Sequence, residues 1–148
     1  MVFEVPEGYM WVLVPLVVNI LVTQWMGFMV GGARRRYNVP YPTMYASEKE
    51  GHKDAKAFNC VQRAHQNTLE FLPSFMVGLL LGGLQYPLVA AVLGGVYTLA
   101  RIQYFRGYSG GVANNRFSGG GVLIFPAYFG LLICTICLTL HQFFPDVV

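Results

Sequence analysis

The chain has 148 residues, of which 55% are hydrophobic and only 11% are charged. Its mean hydropathy is +0.48, which excludes an ordinary soluble domain of this length. The formal net charge is +3, but no RNA- or DNA-binding motif accompanies it, so nucleic acid is not an expected partner.

Four long apolar stretches account for the high hydropathy. They cover roughly residues 9–33, 58–84, 88–106 and 121–144. Each has about the ~20 residues that a helix needs to cross a bilayer, and Pro, Gly and charged residues separate them. No Lys or Arg precedes the first stretch, which therefore predicts a permanent span and not a cleaved signal. Residues 1–148 are predicted to form a single all-α domain, an integral membrane four-helix bundle.

The basic residues form two groups along the chain, and these groups predict the topology. The first group lies between spans one and two and just inside span two, and the second lies at or after the end of span three. The members are Arg34, Arg35, Arg36, Lys49, Lys53, Lys56 and Arg63, and then Arg101, Arg106 and Arg116. The positive-inside rule therefore predicts that both basic loops are cytosolic and that both termini lie across the membrane.

Glycine and proline residues predict local features of the spans. Two pairs of glycines at four-residue spacing would let helices approach closely, although glycine is also common in membrane helices without a packing role. The pairs are Gly27 with Gly31 and Gly78 with Gly82. Pro87 is predicted to begin the third helix. The glycine-rich residues 107–121 are predicted to form a flexible loop.

The three cysteines do not predict a disulfide framework. They are Cys60, Cys134 and Cys137. The number is odd, and the CxxC pair lies inside an apolar span without a metal-ligand partner, so apolar packing is predicted and not redox chemistry.

The second span begins with an unusually polar segment, FNCVQRAHQNTLEFLP, at residues 58–73. Successive helical residues turn by ~100°, so its polar side chains form one stripe. Relative to Arg63, Asn59 lies at about −40°, Gln66 at about −60°, Asn67 at about +40° and Glu70 at about −20°.

Charged groups in this stripe are not expected to face lipid, because each costs about 2.5 to 3.5 kcal/mol at mid-membrane. A direct pair between Arg63 and Glu70 is predicted to be absent, because ~10.5 Å separates their backbones along the helix axis. The third span offers a matching face, on which Arg101 is expected to neutralise Glu70. Three tyrosines lie on that face, namely Tyr97, Tyr104 and Tyr108. The alternative is that these polar groups only hold helices together.

A cavity with several cations, one carboxylate, amides and hydroxyls suits a small zwitterion that carries more negative than positive charge. Glutathione has this pattern, with two carboxylates for arginines and one ammonium for a glutamate. Other anionic metabolites fit the composition equally well.

Three segments resemble a known family. They are FNCVQRAHQNTLE from residue 58, ARRRYNVPYPTMY at 33–45 and ARIQYFRGY at 100–108. They resemble the type three microsomal glutathione S-transferases, which belong to the superfamily of membrane-associated proteins in eicosanoid and glutathione metabolism (MAPEG). The core RAHxNxxE is also similar to microsomal prostaglandin E synthase and to the type one transferase.

The resemblance implies a homotrimer of four-helix subunits in the endoplasmic reticulum membrane, with glutathione as co-substrate between neighbouring subunits near the cytosolic surface. It also implies conjugation of glutathione to lipophilic electrophiles and reduction of lipid hydroperoxides, with membrane lipid as a further partner. The lipophilic substrate is expected to arrive laterally from the bilayer.

The resemblance also assigns site residues. Those implied to bind glutathione are Arg34, Arg63, His65, Asn67, Glu70, Tyr104 and Tyr108. A thiol with a pKa near ~8.5 is mostly protonated at neutral pH, so the reaction needs a cation that stabilises the thiolate. Arg116 is the first candidate for this role and Arg35 is the second. Arg116 lies one residue further from Tyr108 than in the related cysteinyl-leukotriene synthase, and Phe71 replaces a tyrosine of that enzyme. No metal site is expected.

Three other functions remain open. One is a non-catalytic lipid-binding scaffold resembling the five-lipoxygenase-activating protein, and another is an isomerase similar to prostaglandin E synthase. A transporter or channel subunit would also fit intramembrane charges, but the chain lacks an obvious repeat of broken helices.

Overall fold

The structure of the protein, a computed structural model, describes residues 6–144. Within this range it contains only helices, which confirms the predicted all-α class. The four long helices are α1 (Met10–Arg36), α2 (Ala55–Gln85), α3 (Pro87–Ser109) and α4 (Ile124–Phe143). Two 3-10 segments, Glu48–Glu50 and Ala113–Leu123, lie in the connections, and the second is interrupted by a kink at residues 118–120. Pro87 begins the third helix, as predicted.

All four helical segments are long and apolar enough to cross a membrane. The lowest mean hydropathy of the four, 1.3, belongs to α2, which carries the polar stripe. Large apolar side chains such as Phe28, which is 78% exposed, lie on the outside of the helices. A bilayer would cover these side chains, because a water-soluble protein rarely exposes so many.

The chain packs into two compact units, each assembled from separate parts of the sequence. The first contains the described residues 6–20, 71–99 and 123–144, and the second contains residues 21–70 and 100–122. The single domain over residues 1–148 stays a prediction. Residues 1–5 and 145–148 lie outside the described part. The prediction that both chain ends lie across the membrane from the basic loops concerns these residues.

In the first unit, α2 and α4 approach each other closely where α2 carries glycine. A Cβ atom placed on Gly78 would lie 3.4 Å from Cβ of Leu131, and one placed on Gly82 would lie 2.8 Å from Cβ of Cys134. Cys134 is buried and is a free thiol. The predicted close contact at the second glycine pair is therefore confirmed, and Cys134 serves packing there.

We expect Gly82→Ala to destabilise the protein, because the new methyl group would overlap Cys134 and press on the carbonyl oxygen of Leu131 at 3.3 Å. Overpacking of this kind costs about 1 to 3 kcal/mol. The matched control is Gly95→Ala in α3, where no atom lies within 4 Å of the added Cβ. The control should be neutral or stabilising by up to about 1 kcal/mol, because Ala is the better helix former. Thermal unfolding in detergent compares the variants, and equal shifts in both would contradict the assigned contact.

The N-terminal segment and the turn between α2 and α3 meet at one end of the first unit. Glu7 and Gly8 line a cavity there together with Tyr86 and Pro87, and the hydroxyl of Tyr9 donates to the carbonyl of Leu80 at 3.1 Å. These two segments therefore lie at the same end of the unit, as the predicted topology requires. Which side of the membrane this end faces stays a prediction.

The second unit has an apolar core between α1, α2 and α3. Met26, Phe58 and Phe105 are fully or almost fully buried in it, and Trp25 packs edge-on against Phe105 with ring centroids 5.1 Å apart. In the other predicted glycine pair, Gly27 faces His65, whereas Gly31 has no neighbour within 4 Å of an added Cβ. The close packing predicted for this pair is therefore absent at Gly31.

Candidate functional site

The polar face of α2 in the second unit contains a direct ion pair. Nη1 of Arg63 lies 2.5 Å from Oε1 of Glu70, and Nη2 lies 3.0 Å from Oε2, so the guanidinium binds the carboxylate through two hydrogen bonds. The prediction that these residues do not pair is wrong. Both side chains extend along the same helix face, and their combined reach closes the ~10.5 Å between their backbones.

The pair between Arg63 and Glu70 is open to its surroundings. The two side chains are 39% and 42% exposed. An exposed pair contributes little to stability, because solvent screens it. Arg63 and Glu70 can therefore separate, and each can bind a group of opposite charge on a ligand.

Asn67 links this pair to α3. Its Nδ2 donates to Oε2 of Glu70 at 3.5 Å, and its Oδ1 accepts from Nη1 of Arg101 at 2.9 Å. Arg101 is completely buried. The second cation therefore reaches Glu70 through Asn67, and the described contacts form one chain from α3 to the exposed carboxylate.

Two of the three predicted tyrosines join this cluster. The ring of Tyr104 lies 5.5 Å from the Arg101 guanidinium and packs edge-on against Tyr108, with centroids 5.7 Å apart. Tyr97 belongs to the first unit, where it is buried and stacked on Phe75 at 4.1 Å. The matching face of α3 in this unit thus consists of Arg101, Tyr104 and Tyr108.

Arg116 lies against one of these tyrosines, Tyr108. Its guanidinium is 4.4 Å from the ring centre of Phe117 and 5.5 Å from that of Tyr108, and its Nη1 donates to the carbonyl of Ala113 at 2.7 Å. The structure therefore brings the first candidate for thiolate stabilisation to the end of α3, beside Tyr108.

The glycine-rich connection packs tightly, and this holds Arg116 in place. A Cβ atom on Gly107 would overlap the carbonyl oxygen of Asn115, and one on Gly121 would overlap that of Arg116. Part of the predicted flexible loop forms the 3-10 segment Ala113–Leu123. Glycine is needed at these two positions for the close approach of backbones and not for flexibility.

A cavity of ≈ 600 Å³ opens beside Arg63. Tyr108 lines it, together with residues that were not predicted as site residues, namely Tyr45, Lys49, Lys56 and Cys60. Lys56 precedes Arg63 by seven residues and so lies about 20° from it around the helix, which the periodicity would have indicated. The cavity therefore offers three cations, from Arg63, Lys49 and Lys56, and one carboxylate, from Glu48.

Arg34 and Arg35 line a different cavity of the second unit, also ≈ 600 Å³. Arg34 is buried, donates from Nη1 to the carbonyl of Thr43 at 2.8 Å and stacks on Tyr41 at 4.2 Å, whereas Arg35 is exposed. Nε of Arg34 has no hydrogen-bond partner among the described residues. Within one chain, the structure does not bring these two arginines to the cavity beside Arg63.

His65 and Asn59 do not contact the cluster of Arg63, Asn67 and Glu70 in the ways that the sequence predicts. His65 is half-buried and faces Gly27 of α1, about 200° around the helix from Arg63. Asn59 binds the loop after α1, because its Oδ1 accepts from the amide of Ala46 at 2.8 Å and its Nδ2 donates to the carbonyl of Ala46 at 2.9 Å. Asn59 therefore positions the loop that carries Tyr45.

We expect Asn59→Leu to raise the hydrogen-exchange rate of the Ala46 amide by about tenfold, because two hydrogen bonds worth about 0.5 to 1.5 kcal/mol each are lost. Asn59→Asp is the matched variant, since it keeps the acceptor for this amide and loses only the donor. Its exchange rate should lie between those of the native protein and Asn59→Leu. Unchanged exchange at Ala46 in Asn59→Leu would show that the loop is held by other contacts.

Among residues 6–144, no group of three or more His, Cys, Asp or Glu side chains could hold a metal ion. The cluster and the cavity beside it supply guanidinium, ammonium, carboxylate, amide and phenol groups. Such a set binds a ligand with both signs of charge and can stabilise an anion beside Arg116.

Comparison with known proteins gives a consistent set of similar sequences. A family model described as "MAPEG family" matches residues 12–137. The chain is 36% identical over 86 residues to microsomal glutathione S-transferase 2 of Bos taurus, over 57% of this chain and 53% of that protein. For the human protein of the same name the values are 36% over 96 residues, 64% and 59%. An uncharacterised protein of Synechocystis is 40% identical over 80 residues, 53% of each chain. The chain thus spans little more than half the length of these relatives.

Proposed function

Because the chain belongs to the MAPEG family, we propose that it is a membrane-bound transferase that conjugates glutathione to lipophilic electrophiles and reduces lipid hydroperoxides. The similarity to proteins named microsomal glutathione S-transferase 2 supports a transferase that uses glutathione. The observation that carries the proposal is the linked cluster of Arg63, Glu70, Asn67 and Arg101 in helices apolar enough to cross a membrane. Charged groups are costly in such helices and mark functional sites.

Glutathione binding would proceed by exchange of partners. A carboxylate of glutathione would bind Arg63, and the glutathione ammonium would bind Glu70, so each member of the exposed ion pair would gain a charged partner on the ligand. Lys49 and Lys56 line the same cavity as Arg63, and their ammonium groups would bind the second carboxylate of glutathione. Asn67 and Tyr108 supply an amide and a hydroxyl for the peptide groups of the tripeptide.

Arg116 would hold the glutathione sulfur as a thiolate. The anion attacks an electrophilic carbon, a carbon–sulfur bond forms, and the leaving group departs with its electron pair. With a hydroperoxide, the thiolate attacks the terminal oxygen and the O–O bond breaks, giving glutathione sulfenic acid and an alkoxide, which becomes an alcohol by taking up the proton that the thiol released. A second glutathione then yields glutathione disulfide and water, so two thiols supply the two electrons.

The separate position of Arg34 and Arg35 supports a site shared between copies of the chain. We propose a homotrimer in the endoplasmic reticulum membrane, in which these two arginines of a neighbouring subunit complete the glutathione site at the cytosolic end. The exposed side chain of Arg35 favours this arrangement, because it is available to a ligand. We also propose that His65, which lies in the RAHxNxxE segment, contributes to glutathione binding.

The test is a titration of the purified protein with glutathione at neutral pH, followed by ultraviolet absorbance of the thiolate and by turnover of a chlorinated nitrobenzene and a lipid hydroperoxide. We expect saturable binding, a thiolate signal and both activities. Binding without turnover of either substrate would favour an isomerase similar to prostaglandin E synthase. No binding and no thiolate would favour a lipid-binding scaffold.

A further inference from the structure

The first unit carries an apolar groove between α1 and α3. Its volume is ≈ 510 Å³, and its walls include Trp11 and Val18 of α1 and Val92 and Leu99 of α3. Trp11, Val92 and Leu99 are 62%, 66% and 65% exposed. Gly95 lies in the groove, and an added Cβ there would have no neighbour within 4 Å. The groove is therefore an open apolar channel along the helices.

The groove ends at a more polar cavity of the same unit. This second cavity measures ≈ 560 Å³ and shares Trp11 and Leu88 with the groove. Its other walls include the exposed Glu7 and the half-buried Tyr86. The apolar groove suits the hydrocarbon chain of an amphiphile, and the cavity with the Glu7 carboxylate suits its headgroup.

The charge of this end selects the headgroup. Glu7 is the only Asp, Glu, Lys or Arg among the described residues of the first unit. A headgroup with net negative charge would meet the Glu7 carboxylate, and the described residues that line this cavity include no Lys, Arg or His. A quaternary or primary amine would instead pair with Glu7 and lie against the face of Trp11, which attracts cations.

We propose that the groove and the cavity at its end bind one phospholipid whose headgroup carries an amine and no net charge, such as phosphatidylcholine. The acyl chain lies between α1 and α3, from Leu88 towards Leu99, a distance of ~16.5 Å along α3. The amine lies beside Glu7. This lipid is a structural partner and not the electrophile of the proposed reaction, and its site shares no residue with the polar cluster.

The test is native mass spectrometry of the intact protein released from bilayers that contain equal amounts of phosphatidylcholine and phosphatidylglycerol. We expect phosphatidylcholine to be retained in preference. Glu7→Gln should lower this preference about threefold, the usual scale of an exposed charge interaction, and Glu7→Lys should invert it. Because Glu7 is exposed, neither change is expected to affect folding.

Groove variants test the position of the acyl chain. Gly95→Phe fills the groove and should reduce the bound lipid several-fold, whereas Val17→Phe adds the same bulk to an exposed position of α1 outside the groove and should not. Circular dichroism checks that both variants are helical. Equal retention of the two lipids by the native protein, unchanged preference in Glu7→Gln, or crosslinking of the groove to a second copy would each overturn the proposal.

Discussion

Replacing Arg116 with alanine is expected to lower the yield of glutathione thiolate at neutral pH by about tenfold or more. A guanidinium within about 4 to 6 Å of a thiol lowers its pKa by about 1 to 3, and this stabilisation is lost in the variant. Below the raised pKa the bound thiol stays protonated, and it ionises only as the pH rises through that value. Thiolate absorbance measured against pH should therefore shift to higher pH, and turnover should fall in parallel.

Glutathione affinity is expected to change by less than about threefold in Arg116→Ala, because Arg63 and Glu70 carry the charged contacts in the proposed site. Arg116→Lys keeps the positive charge and should recover most of the thiolate. Arg106→Ala, which removes an exposed arginine near the end of α3, is the matched control and should behave like the native protein. A normal thiolate yield with weakened binding in Arg116→Ala would refute the assigned role.

Replacing Arg63 with alanine is expected to weaken glutathione binding by about tenfold to a hundredfold. Hydrogen bonds to charged groups are worth about 1.5 to 3 kcal/mol, and the substitution removes the proposed carboxylate partner. It also leaves Glu70 without its bidentate partner on α2. Calorimetric titration of the detergent-solubilised protein with glutathione measures the effect.

The thiolate that does form in Arg63→Ala should keep its native pKa, which separates binding from activation. Arg36→Ala removes an exposed arginine at the end of α1 and tests whether loss of any cation weakens binding. We expect no change there beyond about twofold. Native affinity in Arg63→Ala would move the ligand away from the polar stripe and would count against the proposed function.

The helices could be predicted from the sequence because span length and hydropathy act over about twenty residues and average out local exceptions. The polar stripe could be predicted because helical periodicity places Arg63, Asn67 and Glu70 on one face. The ion pair between Arg63 and Glu70 does not follow from backbone rise, because two long side chains span the ~10.5 Å between their backbones.

Other site features depend on contacts that no local pattern contains. Asn59 lies on the predicted stripe, but the loop after α1 returns to it and uses its amide. Arg34 is adjacent to Arg35 in sequence, yet only Arg34 is buried by the same loop. These outcomes follow from how residues 37–46 fold back, which spacing along α2 does not reveal.

The family could be predicted from three short segments, and membership in MAPEG is confirmed. The reported mammalian relatives carry the name of type two, not of type three. The type three branch, the trimer and the endoplasmic reticulum location stay predictions. They concern a particular branch, an assembly and a compartment, which the fold of one chain does not specify.

In the proposed glutathione site, the bidentate contact makes Arg63 and Glu70 each other's counter-ion before a ligand binds. Any ligand must replace an internal counter-ion, so a molecule with only a carboxylate would strand Glu70, and one with only an amine would strand Arg63. Only a ligand with both charges at matching positions leaves neither residue uncompensated. In the proposed site the ion pair would favour ligands that carry both charges, and we expect glutathione without its amino group to bind more weakly than the loss of one contact would explain.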